Sequence, residues 1–368
     1  MQPNLLSGRS SLILGFYAVL SIIIIALKCS IYGRLFSPLF FFIVIFTPVF
    51  IVAIHNGEIS LLSLFFLFAC LISLLFNEIN PLFRAEERFL LFLVLFMGLG
   101  PLFLSEETNR FRYLVFCGVN NLFVVITIIS FIYFLIGRGY VRAGFGGIAG
   151  HPMDLAPLVA LSLIYMINRV QYAKKWQRWI IVLYLLIGIF TLFLAASRGA
   201  LIGFFIASLY LIIKGRSTVK QSILNICFLI IVPVALALIN PMNVMTNLED
   251  KFERVEETDD MYGGREQKMI NRMAEFRESP IIGIGFSSMH TLEMDSKGHF
   301  EPSNGWLFIL SSTGSLGFIL ASLLFVIPFY KYRKNKKLTF LLSTTLFFII
   351  HTFIEGYSLT ARNNPRCA

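Results

Sequence analysis

Two arginines carry the sharpest chemistry in this sequence. Arg198 sits in Ala196-Ser197-Arg198-Gly199-Ala200, a link of a few residues between two apolar blocks. An arginine inside an apolar helix costs roughly 2.5–3.5 kcal/mol on insertion scales, so one held this close to two such blocks is a candidate functional residue. Its planar fork suits a phosphate, binding two oxygens at once while staying charged. The plainer reading is a side chain snorkelling to lipid headgroups. Arg265 follows Gly263-Gly264 and precedes Glu266. A glycine pair frees backbone N–H groups, and a helix N-terminus favours anions. The plainer reading there is a helix-starting turn with a solvated arginine.

Three further groups are candidates for chemistry. In Gly150-His151-Pro152-Met153-Asp154, His151 is a candidate proton acceptor and Asp154 a candidate ligand for sugar hydroxyls; Asp154 serves equally as a helix cap. His290, Asp295, His299 and Glu301 lie close together before an apolar block, and any of them has the chemistry of a general base. A solvated loop explains most of these; His299 and Glu301 are the favoured pair because they lie nearest the apolar block. In Ser303-Asn304-Gly305-Trp306, Asn304 opens the next block, and Gly314 and Gly317 follow at helical spacing, as close helix packing uses. No HExxH, Cys/His cluster or P-loop is present, so no metal, cofactor or direct use of ATP is expected.

The elements that must position these residues are membrane helices. Hydrophobic residues make up 57% of the chain and charged ones only 14%, against about 25% charged in soluble domains. The apolar residues come in blocks of about 20, enough to cross a bilayer core. Blocks near 10–28, 36–54, 59–76, 88–104, 112–136, 154–168, 179–196, 199–213, 222–240, 304–330 and 338–355 predict an all-α, polytopic bundle of about eleven spans, with residues 1–368 forming one membrane domain. The net charge of +10 does not mark a nucleic-acid binder, because the basic residues sit in short clusters between apolar blocks. The five cysteines form no CxxC pair and read as small packing residues. The first block lacks a small-residue cleavage pattern and reads as the first span.

Sidedness follows from Lys and Arg in short loops. The clusters Arg169/Lys174/Lys175/Arg178, Lys214/Arg216/Lys220 and Lys331/Arg333/Lys334/Lys336/Lys337 fall on one side by parity. That makes them cytoplasmic, with the N-terminus inside and residues 241–303 outside. Lys28, Arg34, Arg84 and Arg88 fit less well, falling on the outer side. The 241–303 loop holds most of the acidic residues, and a loop of that length is expected to be functional or disordered. Within it, Arg265–Ser279 predicts an amphipathic helix with Met269, Ile270, Met273 and Phe276 on one apolar face, lying on the membrane or packing over the bundle. A tight glycine turn follows at Pro280–Gly285. The two halves show no internal repeat, which weighs against a transporter.

In this order, the Gly-His-Pro at 150–152, the Ser-Arg-Gly at 197–199, Gly264-Arg265 before an amphipathic helix, and Pro280…Gly285 followed by Ser303-Asn304-Gly305, Gly314 and Gly317 resemble the bacterial O-antigen ligase and O-antigen polymerase family. The likeness covers about residues 145–320, and Glu355-Gly356-Tyr357 and Asn363-Asn364-Pro365 also resemble the family's end. It implies a metal-independent glycosyltransferase of the bacterial inner membrane. The enzyme would take a glycan from an undecaprenyl-diphosphate carrier on the outer side, with a chain-length regulator protein as a further partner besides the membrane lipids. By this resemblance Arg198 and Arg265 would bind the carrier diphosphate. His299, Glu301 and His151 stand as candidate bases, and Asp154, Asn304 and His290 as other substrate contacts. One departure stands out. Ligases often show His-Asn where this chain has Ser303-Asn304, which favours a polymerase over a ligase. A lipid-linked oligosaccharide flippase is the remaining alternative; it would place charges deep inside many spans, whereas here they cluster in loops.

Overall fold

The computed structural model of the protein describes residues 9–29, 44, 47, 58–141, 144–215, 266–290 and 304–354. Among them are ten helices. In chain order these are α1 (Arg9–Lys28), α2 (Leu61–Leu75), α3 (Ala85–Gly98), α4 (Glu106–Leu135), α5 (Pro152–Val170), α6 (Lys175–Ala195), α7 (Arg198–Lys214), α8 (Glu266–Glu278), α9 (Gly305–Tyr332) and α10 (Thr339–Ile354). Two small antiparallel ribbons, Glu58–Ile59 with Phe103–Leu104 and Tyr140–Val141 with Gly144–Phe145, tie loop ends together.

Helices α4, α5, α6 and α9 are long and apolar enough to cross a membrane, and Ile13–Leu27, Leu61–Leu75 and Thr339–Ile354 are shorter apolar helices. Helices thus occupy nine of the expected blocks, but the short ones do not by themselves make spans. The blocks at 36–54 and 222–240 lie outside the described residues.

Local chemistry sets the helix starts. Ser105 Oγ accepts from Thr108 N–H at 3.1 Å while Thr108 Oγ1 accepts from Ser105 N–H at 3.0 Å, a reciprocal cap that opens α4. Ser60 caps α2 and Ser197 caps α7. At the α6–α7 corner Ala196 takes φ +49, so the chain reverses in two residues. The main core lies between α4, α5, α6, α7 and α10, and includes Leu163, Leu192, Phe204 and Phe347. Inside it Tyr184 donates to Ser162, which also meets Thr127 at 3.2 Å, so hydroxyls join three helices. Many large apolar side chains point outward, among them Phe16, Phe65, Phe68, Ile319 and Val326. Exposed Trp176 and Trp179 stand beside Lys174 and Lys175, as an interfacial belt requires.

Helix α9 departs from the sequence expectation. Gly314 does not serve a close helix–helix contact: it leaves helical geometry (φ +67, ψ −172) and kinks the helix. The turn after α8 fills the gap. Ser315 N–H donates to the Pro280 carbonyl at 2.8 Å and Leu316 N–H to the Ile281 carbonyl at 3.3 Å, while Ile284 N–H donates to the Ser311 carbonyl at 2.9 Å. Backbone groups freed by the kink are thereby satisfied in an apolar setting. A Cβ on Gly314 would collide with the Ile281 carbonyl, and one on Gly283 (φ +73) with Ser312.

Helix α8 forms where the sequence expects an amphipathic helix. Of its apolar face, Ile270 and Met273 are 53% and 37% exposed, whereas Met269 and Phe276 are half-buried. The fully buried residues of α8 are charged: Arg272 Nη1 lies 2.6 Å from Glu275 Oε2, both side chains fully enclosed. A partly exposed apolar stripe of this kind is what a helix lying on a membrane surface presents.

Candidate functional site

Four of the predicted residues sit at the start of a helix. His151 caps α5: its Nδ1 accepts from Met153 N–H at 3.2 Å, Pro152 occupies the first turn and Asp154 follows in it. Asn304 caps α9 through Oδ1, which accepts from Trp306 and Leu307 N–H at 3.0 Å each. Arg198 is the first residue of α7, half-buried behind its Ser197 cap. Of the alternatives for the Gly-His-Pro segment, the cap role falls to His151 rather than Asp154.

Packing brings these starts to one end of the bundle. Gly215, just past α7, touches the side chain of Gln171, just past α5, so α5 and α7 run parallel and begin at the same end. Helix α10 runs against both. Ser343 Oγ donates to the Ala207 carbonyl at 2.6 Å, a Cβ on Gly203 would lie 3.0 Å from the Phe347 ring, and Phe340 packs on Tyr165 of α5 at 5.7 Å. The start of α9 joins through Trp306, whose Nε1–H donates to the Ile349 carbonyl at 3.1 Å and whose ring meets Phe353. The end of α1 arrives there too. Burial pushes the Cys29 thiol up to about 11, and the Asp154 carboxylate adds to the rise.

His290 lies apart from this group on the same end, since α2 runs against α9 with Ser73 Oγ donating to the Ser312 carbonyl. Its Nε2 is 3.1 Å from both carboxylate oxygens of Glu278, and its N–H donates to Glu275 Oε1 at 2.7 Å. A cleft of about 360 Å³ opens beside it, lined by Asn77, Glu78, Asn80, Glu278, Ser279 and Ser288 among others. The turn above this cleft is anchored by Arg88, whose Nη1–H donates to Ser287 Oγ at 3.2 Å. Amides, carboxylates and hydroxyls of this kind match sugar hydroxyls in hydrogen-bonding capacity.

Arg265, His299, Glu301 and Asp295 lie outside the described residues. Three charged or titratable residues went unremarked as candidates in the sequence: Arg272, Glu275 and His351, the last 4% exposed on α10. The first two sit at positions i and i+3 of a polar helix, which reads as an ordinary solvated pair. His351 interrupts an apolar run, a cost that is itself the signal. Among the described residues no group of three or more His, Cys, Asp or Glu could hold a metal ion.

Neither curated proteins nor solved structures gave a match. One family model did match: residues 180–322 fit the family described as O-antigen ligase. The matched segment runs from within α6 to within α9 and includes Arg198, Arg265, Asn304, Gly314 and Gly317. Residues 180–322, less than half of the chain, are similar to the O-antigen ligase family, the family that its spaced motifs resemble.

Proposed function

We propose that this protein is a membrane glycosyltransferase that polymerises lipid-linked repeats of a surface polysaccharide. An acceptor sugar hydroxyl attacks the anomeric carbon of a glycan held on undecaprenyl diphosphate. The diphosphate leaves, paired with Arg198 and with Arg265 of the 241–303 loop. Single displacement inverts the anomeric centre. The observation that carries this reading is the position of Arg198. It opens α7 inside the family-matched segment, at the bundle end shared by His151, Asp154 and Asn304. A fixed fork beside a helix N-terminus favours a diphosphate leaving group.

The second reading is a ligase that moves the glycan to lipid A-core, and the family match supports it equally. Ser303, in the place where ligases often carry His, favours the polymerase. The cleft beside His290 suits sugar units of the acceptor glycan remote from its reacting hydroxyl. In this topology the N-terminus is cytoplasmic and residues 241–303 face outward from the inner membrane.

Surface polysaccharide from cells lacking the protein, run on a gel, separates the readings. Single repeats still attached to lipid A-core, with the long ladder gone, identify a polymerase. Loss of all attached glycan while long polymer builds up on the carrier identifies a ligase. An unchanged ladder with an unchanged carrier pool would sink both.

A further inference from the structure

His351 belongs to none of the motifs above and lies outside the family-matched segment. It sits in Phe347-Phe348-Ile349-Ile350-His351-Thr352-Phe353, where an imidazole costs more than any apolar neighbour. Two independent registers place it. Against α7, residue 343 meets 207 and residue 347 meets 203, so one more turn sets His351 against Gly199, next to Arg198. Against α5, Phe340 meets Tyr165, and three turns toward the same end set His351 level with Asp154. The Trp306 bond to Ile349 brings the Asn304 cap of α9 to the same place. The starts of α5, α7 and α9, with His151, Arg198 and Asn304, therefore gather about one residue outside these motifs.

His351 stacks on Phe347, with ring centroids 5.3 Å apart and planes 18° from parallel, so its orientation is fixed. At 4% exposure it is shielded from bulk water.

We propose that His351 is the catalytic base of glycosyl transfer, an assignment that rests on the function proposed above. The acceptor hydroxyl gives its proton to an imidazole nitrogen of His351. The hydroxyl oxygen forms the new bond to the anomeric carbon. The bond from that carbon to the diphosphate oxygen breaks, and its electron pair stays on the diphosphate beside Arg198. Asp154 offsets the positive charge that the imidazole gains.

The test uses the full-length protein in lipid nanodiscs, with the undecaprenyl-diphosphate-linked oligosaccharide that accumulates in cells lacking the protein as donor and acceptor. His351→Gln keeps a hydrogen-bonding side chain but cannot take the proton. Its kcat should fall at least about 100-fold while its donor KM stays at the wild-type value, whereas Arg198→Ala should raise donor KM. A His351→Gln protein that melts like wild type and turns over within about threefold of it overturns the assignment. If that variant does not fold, His351→Ala is assayed with added imidazole. Recovery of turnover supports the base, and a folded protein that stays inactive in imidazole overturns it. Wild-type protein that makes no product from this donor would instead sink the proposed function itself.

Discussion

At the scale of the residue, Arg198 and Arg265 are expected to differ from lysine in kind. A lysine keeps the charge but loses the fork that holds two phosphate oxygens. A hydrogen bond to a charged group contributes about 1.5–3 kcal/mol. Arg198→Ala should therefore lower transfer by about 10- to 100-fold, and Arg198→Lys should recover only part of it. The measurement is the amount of long-chain product at equal membrane levels of each variant. Arg265→Ala should abolish the ladder in the same assay; a full ladder there would remove the loop arginine from the diphosphate site. Arg198 was legible in the sequence because a charged residue in so short a link between apolar blocks is expensive. His351 was equally expensive, but its meaning depends on which helices face it, and no run of residues states that.

At the scale of the element, α8 and the α9 kink form one assembly. The Arg272–Glu275 pair is fully enclosed, and Glu275 also accepts from His290 N–H. Removing one partner of a buried pair leaves a charge uncompensated, at a cost of about 3–5 kcal/mol. Glu275→Ala should lower the melting temperature in detergent markedly, and exchange of the neighbouring Met273 for Ala, on the exposed face, should not. An unchanged melting temperature for Glu275→Ala would mean that the pair does not hold the turn onto α9. Gly314→Ala should also destabilise, because φ +67 strains any side chain and a Cβ has nowhere to go. A wild-type melt for that variant would argue for a straight α9. The amphipathic period of α8 was visible in the sequence, but not which face the fold would cover. That depends on the medium as well as the pattern, since a membrane surface takes apolar side chains that water would reject.

At the scale of the whole molecule, two sets of contacts mark opposite ends of the bundle. Residues 77–83 meet residues 278–290 at one end of the bundle, and the Thr339 hydroxyl meets the Lys214 carbonyl at 3.5 Å near the basic clusters at the other. In a background without native cysteines, His290→Cys should react with a membrane-impermeant maleimide on intact cells. Lys334→Cys should react only after lysis. The reverse pattern would invert the proposed topology.

The sequence by itself determined that the chain is helical and built for a membrane, because only blocks of apolar residues of that length explain its composition. It also determined where several helices begin, since Ser60, Ser105, Ser197 and Asn304 cap locally through their own side chains. What it could not determine was which helix ends share one place. The registers of α5, α7, α9 and α10 are set by contacts between residues as far apart as Ala207 and Ser343. Only the tertiary structure decided that Arg198, Asp154, Asn304 and His351 come to the same end, because packing between helices, not pattern along them, fixes their depth.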